Sequence, residues 1–128
     1  MDLFIIASSI QVLPQKHGWE KWDNFPHERK KLLDLISKTN NKVIILSGDR
    51  HFGAIYETRD KDNKLVEFTS SGLNTYRNAR DPIENSVSVQ SYSGYNFGGI
   101  EINFTSGKID GGIYDKDGKK RISKEFSF

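Results

Sequence analysis

The chain is 128 residues long, the size of one ordinary domain. Lys and Arg number 19 against 17 Asp and Glu, a formal excess of +2, which argues against a dedicated nucleic-acid or anionic-membrane binder. Zero cysteines exclude disulfides, Cys-ligated zinc and thiol nucleophiles, and no run approaches the ~20 apolar residues of a membrane-spanning helix.

Leu3-Phe4-Ile5-Ile6-Ala7-Ser8-Ser9 has the continuous apolar start of a strand covered on both faces, predicting β structure over 3–9. The run is too short for the apolar part of a signal peptide, and no basic flank precedes it. A polar connection follows in which Trp19, Trp22 and Phe25 read as pins holding a loop against the core, the other reading being the lining of a substrate groove. Pro26 suits a first helical position and Glu28 its positive end, so a helix is predicted over 26–39. Leu32, Leu33, Leu35 and Ile36 form its apolar stripe, and Asn40-Asn41 its stop.

Val43-Ile44-Ile45-Leu46-Ser47 is a second buried-strand pattern, so strand, helix and strand make a βαβ unit with a right-handed crossover. Residues 53–58 and 65–70 read as a hairpin around Asp60-Lys61-Asp62-Asn63. Residues 71–95 read as one long polar loop, of the kind that is functional or disordered. Ile100, Ile102 and Phe104 alternate with polar neighbours as in a half-buried antiparallel strand. Ser106-Gly107 and Lys116-Asp117-Gly118 turn the chain on either side of 108–114. Gly98-Gly99 suggests a bulge or a close backbone approach. Lys119, Lys120, Arg121 and Lys124, interleaved with acids, read as a solvated hairpin face.

The segment that carries chemistry is Leu46-Ser47-Gly48-Asp49-Arg50-His51-Phe52, where a buried strand ends. In an extended chain residues i and i+2 share a side, so Asp49 and His51 converge while Gly48 admits close backbone approach. A carboxylate beside an imidazole suits Zn, Fe or Mn; it also suits a plain hydrogen-bonded pair at a strand end. Arg50 leans away in an extended chain, or meets a phosphate in a bent one. His27 reads as a solvated first-turn residue. Ser70-Ser71-Gly72 lacks the strained Gly-x-Ser-x-Gly elbow of a nucleophile.

Ser47-Gly48-Asp49-Arg50-His51-Phe52 resembles the late metal-binding motif of the alkaline phosphatase D-like family, within the calcineurin-like metallophosphoesterases. Four more blocks accompany it in order. Ser9-Ile10-Gln11 resembles that family's strand-end Gln segment, and Trp22-Asp23-Asn24-Phe25-Pro26-His27-Glu28-Arg29 its W-x-x-[FY]-P-x-x-R helix start. Phe68-Thr69-Ser70-Ser71-Gly72-Leu73-Asn74 is similar to the strand and loop after the metal motif, and Asn96-Phe97-Gly98-Gly99-Ile100-Glu101-Ile102 to its N-[FY]-G-x-I-E-I strand.

The resemblance implies an α/β or mixed α+β fold: the βαβ unit and its antiparallel strands as the C-terminal half of a metallophosphatase-type β-sandwich with flanking helices. Residues 1–128 are then an incomplete domain. It implies a phosphoesterase acting on phosphate mono- or diesters, with two cations roughly 3.5–4 Å apart and a water they activate. Asp49 and His51 are then metal ligands or their immediate neighbours, the ions being divalent or ferric, with Fe, Ca, Zn and Mn all open. For Arg50 the family offers no fixed chemistry, and a phosphate contact is its expected role on the residue type alone. The family's earlier ligands lie in an Asp-bearing strand, a Gly-Asp-x-x-Asp segment and an Asn-His segment, none of which occurs here. His17 and His27 fall where the family places no ligand. One Asp and one His cannot close the site, so the chain is expected to be inactive alone and to need a missing N-terminal half. The contrasting expectation is a non-catalytic β-rich interaction module, motivated by the missing ligands and the loop 71–95. A third is an incomplete fragment whose exposed apolar edges drive association or aggregation. The family is often exported, yet nothing in this chain decides the compartment.

Overall fold

The structure is a computed structural model and describes residues 2–62 and 64–128. Asn63, at the tip of the predicted turn 60–63, lies outside the described residues. Chain order is β1 (Leu3–Ala7), a single 3₁₀ turn (Trp22–Asn24), α1 (Pro26–Lys38), β2 (Lys42–Ser47), β3 (Gly53–Thr58), β4 (Val66–Ser70), β5 (Val87–Tyr92), β6 (Asn96–Asn103), β7 (Lys108–Asp115) and β8 (Lys120–Ser127). Strand takes 44% and helix 13%, with one α-helix and two sheets among the described residues. The fold is therefore β-rich, and the expected α/β class with several flanking helices is corrected. The physical reason is that strand–helix alternation occurs only once; beyond β2 each strand is followed by a turn or an irregular connection.

The first sheet has the order β1-β2-β4-β3-β5. β1 and β4 lie parallel to β2, with Ile5 opposite Ile44 and Leu46 opposite Phe68. β3 runs antiparallel to both β4 and β5. The second sheet is the antiparallel meander β6-β7-β8. Alternate side chains of the first sheet feed two separate cores. Val43, Ile45, Ala54 and Tyr56 pack with Val12, Leu13 and Ile36 of α1 on one face. Ile55, Val66 and Phe68 pack with Ile113, Ile122 and Phe126 of the meander on the other. The five-stranded sheet is thus the middle layer.

Pro26 opens α1, Glu28 and Lys38 complement its dipole, and Arg29 turns inward to donate to the carbonyls of Val12 (2.7 Å) and Leu13 (3.1 Å). Only part of the predicted stripe is inside: Ile36 is buried, Leu32 and Leu33 pack partly on the core, and Leu35 is 67% exposed. β1 also departs from expectation. It is a sheet edge paired on one side only, and Phe4 (49%) and Ile5 (48%) remain half exposed. The predicted loop 71–95 contains β5, whose Val87 is buried while Val89 is exposed at the opposite edge of the same sheet.

Candidate functional site

β2 ends at Ser47 and the chain reverses through Gly48-Asp49-Arg50-His51-Phe52 before β3. The reversal is not extended. Asp49 and His51 both adopt left-handed backbone angles, φ 63° and 59°. Such angles are uncommon outside glycine, though Asp and His tolerate them better than most residues, and each costs on the order of 1 kcal/mol. Gly48 does not take the strained position; a Cβ there meets Ser71, Ser70 and Ser9 at 3.4–3.8 Å, ordinary contact. The premise that Asp49 and His51 share one side of an extended strand is therefore corrected.

Ser71 holds the reversal in place. Its Oγ accepts from the N–H groups of both Arg50 and His51, each at 2.9 Å. These two successive N–H groups form a small concave donor pair of the sort that receives an anion, here occupied by the hydroxyl oxygen. The result still brings Asp49 and His51 together: both line one cavity of about 330 Å³, with Arg50, Trp19, Arg77 and Asp81 among its other walls. Asp49 is exposed and His51 half-buried.

Arg50 is placed otherwise than expected. It is buried, and its guanidinium grips Asp81 with two hydrogen bonds of 2.8 and 2.6 Å while donating to Gln11 Oε1 at 3.0 Å. It also lies over the Phe52 ring, 5.0 Å from the centroid. With its charge met by Asp81, Arg50 is an anchor that ties the 74–83 segment to the reversal, not a free phosphate contact. Gln11 extends the tie, donating from Nε2 to Thr69 Oγ1 (2.9 Å), which is in turn 2.8 Å from Ser47 Oγ.

Two buried acids hold the backbone of residues 12–16. Glu67, fully buried, accepts from the N–H groups of Val12 (2.9 Å) and Leu13 (2.7 Å). Burial pushes its carboxyl up, while hydrogen bonds from Ser47, Leu13 and Val12 pull it down. Glu84 accepts from the N–H groups of Gln15 and Lys16, both at 2.8 Å. His17 is buried as well, with Nδ1 accepting from the Trp19 N–H at 3.2 Å and Nε2 without a hydrogen-bond partner among the described residues. Burial first, and then the Arg50 charge, lower its pKa to about 4, so it is neutral at pH 7 with its proton on Nε2.

The aromatics divide. Trp22 packs on the core and donates from Nε1 to Ser8 Oγ (2.9 Å), as a pin should. Trp19 is 54% exposed on the cavity wall, and Phe25 is 62% exposed. Arg77, Arg80 and Asp81 were not signalled by the sequence, because only the tertiary return of the 74–83 segment brings them here. His27 is exposed, away from the cavity.

The donor types of Asp49 and His51 fit a hard-to-borderline metal ion. Their number does not: among the described residues no three of His, Cys, Asp and Glu are gathered to hold one, and a catalytic zinc commonly takes three protein ligands. Among the described residues, no helix is long and apolar enough to cross a membrane. A scan against protein-family models gives no match, and a search of curated proteins gives none either.

Proposed function

We propose that this chain contributes Asp49 and His51 as one corner of the metal centre of a phosphoester hydrolase, the remaining ligands coming from a segment outside these 128 residues. The observation that carries the reading is the pairing of these two donors on one arginine-walled cavity by a strained, hydroxyl-pinned reversal. Strain of this kind persists where the surroundings over-determine it, which is common at ligand sites. Resemblance of the Ser47–Phe52 motif to the alkaline phosphatase D-like family gives the reading its chemistry. Asp49 and His51 would help hold the ions, which when bound would supply an activated water and charge stabilisation at phosphorus. The chain's own residues orient: Ser71 fixes the reversal, and the Arg50–Asp81 pair fixes the wall facing it.

The test is hydrolysis of p-nitrophenyl phosphate by this chain assembled with the segment bearing the other ligands, with Zn, Mn, Ca or Fe added. Asp49→Asn and His51→Ala are each expected to lower kcat/KM by about 100-fold or more, since even residues behind metal ligands cost 10–100-fold. Full activity in both variants rejects the assignment. A second reading, a non-catalytic β-rich module, is favoured by the half-exposed edge strand β1 and the short ligand count. Absence of hydrolysis in the complete assembly, with every metal, selects it.

A further inference from the structure

The cavity beside Asp49 and His51 carries two guanidiniums that the fold does not use. Arg50 is neutralised by Asp81, but Arg77 and Arg80, both exposed, have no carboxylate partner among the described residues. Arg77 is nevertheless held, and Arg80 sits between two tethered neighbours. The Arg77 backbone N–H donates to the His51 carbonyl at 2.6 Å, and its guanidinium lies 5.3 Å over the Trp19 ring. An arginine stacked by its face keeps its edge N–H donors free for a ligand, and the stacking reduces the freedom lost when one binds. Arg80 precedes Asp81, which the buried Arg50 fixes, and the Ala79 N–H donates to Ser93 Oγ at 2.9 Å.

We infer that Arg77 and Arg80 form an anion-binding subsite that takes the terminal oxygens of a phosphate monoester. The inference rests on the phosphoesterase reading for its ligand class, and it narrows that class. Two guanidinium forks offer paired donors and two positive charges. A monoester dianion presents three terminal oxygens and two charges to them, whereas a diester presents two oxygens and one charge. Among the described residues, the other unpaired charges on the cavity wall are Glu20 and Asp49, which oppose an anion. Neutralising Asp49 therefore strengthens anion binding in the isolated chain, the opposite of its effect on hydrolysis.

The experiment is metal-free calorimetric titration of the isolated chain with inorganic phosphate, phenyl phosphate and methyl phenyl phosphate. Arg77→Ala and Arg80→Ala each weaken phosphate and phenyl phosphate binding by about fivefold or more, the loss of a charge-assisted contact. Arg77→Lys and Arg80→Lys, which keep the charge but lose the fork, give smaller losses. Asp49→Asn tightens binding, and phenyl phosphate binds at least as well as inorganic phosphate. The diester binds about fivefold or more weakly than phenyl phosphate. Equal binding of the two esters overturns the monoester assignment. Unchanged phosphate binding in both alanine variants, or no binding by a chain whose circular dichroism shows it folded, overturns the subsite. Neither result depends on hydrolysis, so this inference and the metal-centre reading fail separately.

Discussion

Polar side chains tie the loops around the five-stranded sheet across long stretches of sequence. Glu67 reaches back 55 residues to the Val12 N–H, and Glu84 reaches back 69 to that of Gln15. The turns of the meander β6-β7-β8 are tied locally instead. Asp115 accepts from the N–H groups of Asp117 and Lys119 and from Arg121 Nε, the last 6 residues away, and Asn103 accepts from Ser106 only 3 away. A local tie exists as soon as its turn forms, whereas a long-range tie exists only when the whole sheet is in place. The candidate site depends entirely on the second kind. Its geometry should therefore be lost with global stability, while the meander's turns are tuned by residues close in sequence.

The sharpest way to break this contrast is Glu67→Gln. Both carboxylate oxygens receive a backbone N–H, so the amide of Gln turns one acceptor into a donor facing a donor in a fully buried place. An unmet buried hydrogen bond to a charged group costs several kcal/mol, and about 2–4 kcal/mol is expected here, read by urea unfolding. A loss under about 0.5 kcal/mol would mean that segment 11–16 is held by Arg29, Glu84, Gln11 and its apolar contacts, with Glu67 adding little.

Acid separates the two regions next. His17 has a folded pKa of about 4 against an ordinary 6.5, so the unfolded chain binds its proton first as pH falls. Stability is then lost between pH 6.5 and 4, by up to about 3 kcal/mol. The groups acting on that imidazole are Arg50, Asp81, Lys21 and Glu84. Glu67 works in the opposite sense: burial raises its carboxyl above 4.5, so its contribution is full in acid and lost as pH rises through the folded value. Hydrogen bonding from Lys119 holds Asp115 below 3.8, so its contribution disappears only at lower pH, beneath the His17 window. Denaturant unfolding of the protein and of His17→Gln, compared from pH 7 to 4, cancels the shared groups. The variant is expected to lose less stability over that range; parallel curves would show that His17 is protonated as easily in the fold as out of it.

The same division explains what was legible in the sequence. Helix α1 announces itself through Pro26, Glu28 and its spaced leucines, and the meander through Ser106-Gly107 and Lys116-Asp117-Gly118, because turn and capping chemistry is local. β5 was hidden: Val87-Ser88-Val89-Gln90 alternates, but a run of Ser, Asn and Tyr around it reads as loop until β3 is there to pair with it. Leu35 and the Phe4-Ile5 pair look buried by type and are exposed by position, since among the described residues one helix face and one sheet edge are left uncovered. Asp49 and His51 were visible as a pair, and their left-handed backbone was not, because the force that holds it is a hydroxyl on Ser71 some twenty residues later. Arg50 could be read as a ligand contact only while Asp81 was unplaced. The α/β expectation fails for a related reason: the single strand–helix–strand pattern is strong and local, whereas the longer run of antiparallel strands is weakly marked residue by residue.

Two glycine substitutions in the meander make the smallest and most diagnostic test. Gly111 on β7 faces the first sheet, and a Cβ there would overlap the ring of Phe68, which is itself 3% exposed and stacked on Phe126. Gly111→Ala is an overpacking change in the second core, expected to cost about 1–3 kcal/mol. Gly118 sits at φ +79° in the β7–β8 turn with nothing near its missing Cβ. Gly118→Ala therefore meets only the backbone cost of a left-handed L-residue, about 1 kcal/mol. Thermal unfolding ranks the two. If Gly118→Ala proves the costlier, the meander is stabilised by its turn and merely leans on the first sheet. If Gly111→Ala is costlier, as the Phe68 contact requires, the sheets form one cooperative unit, and strain at Gly111 is transmitted through β4 to Ser70, whose neighbour Ser71 pins Asp49-Arg50-His51.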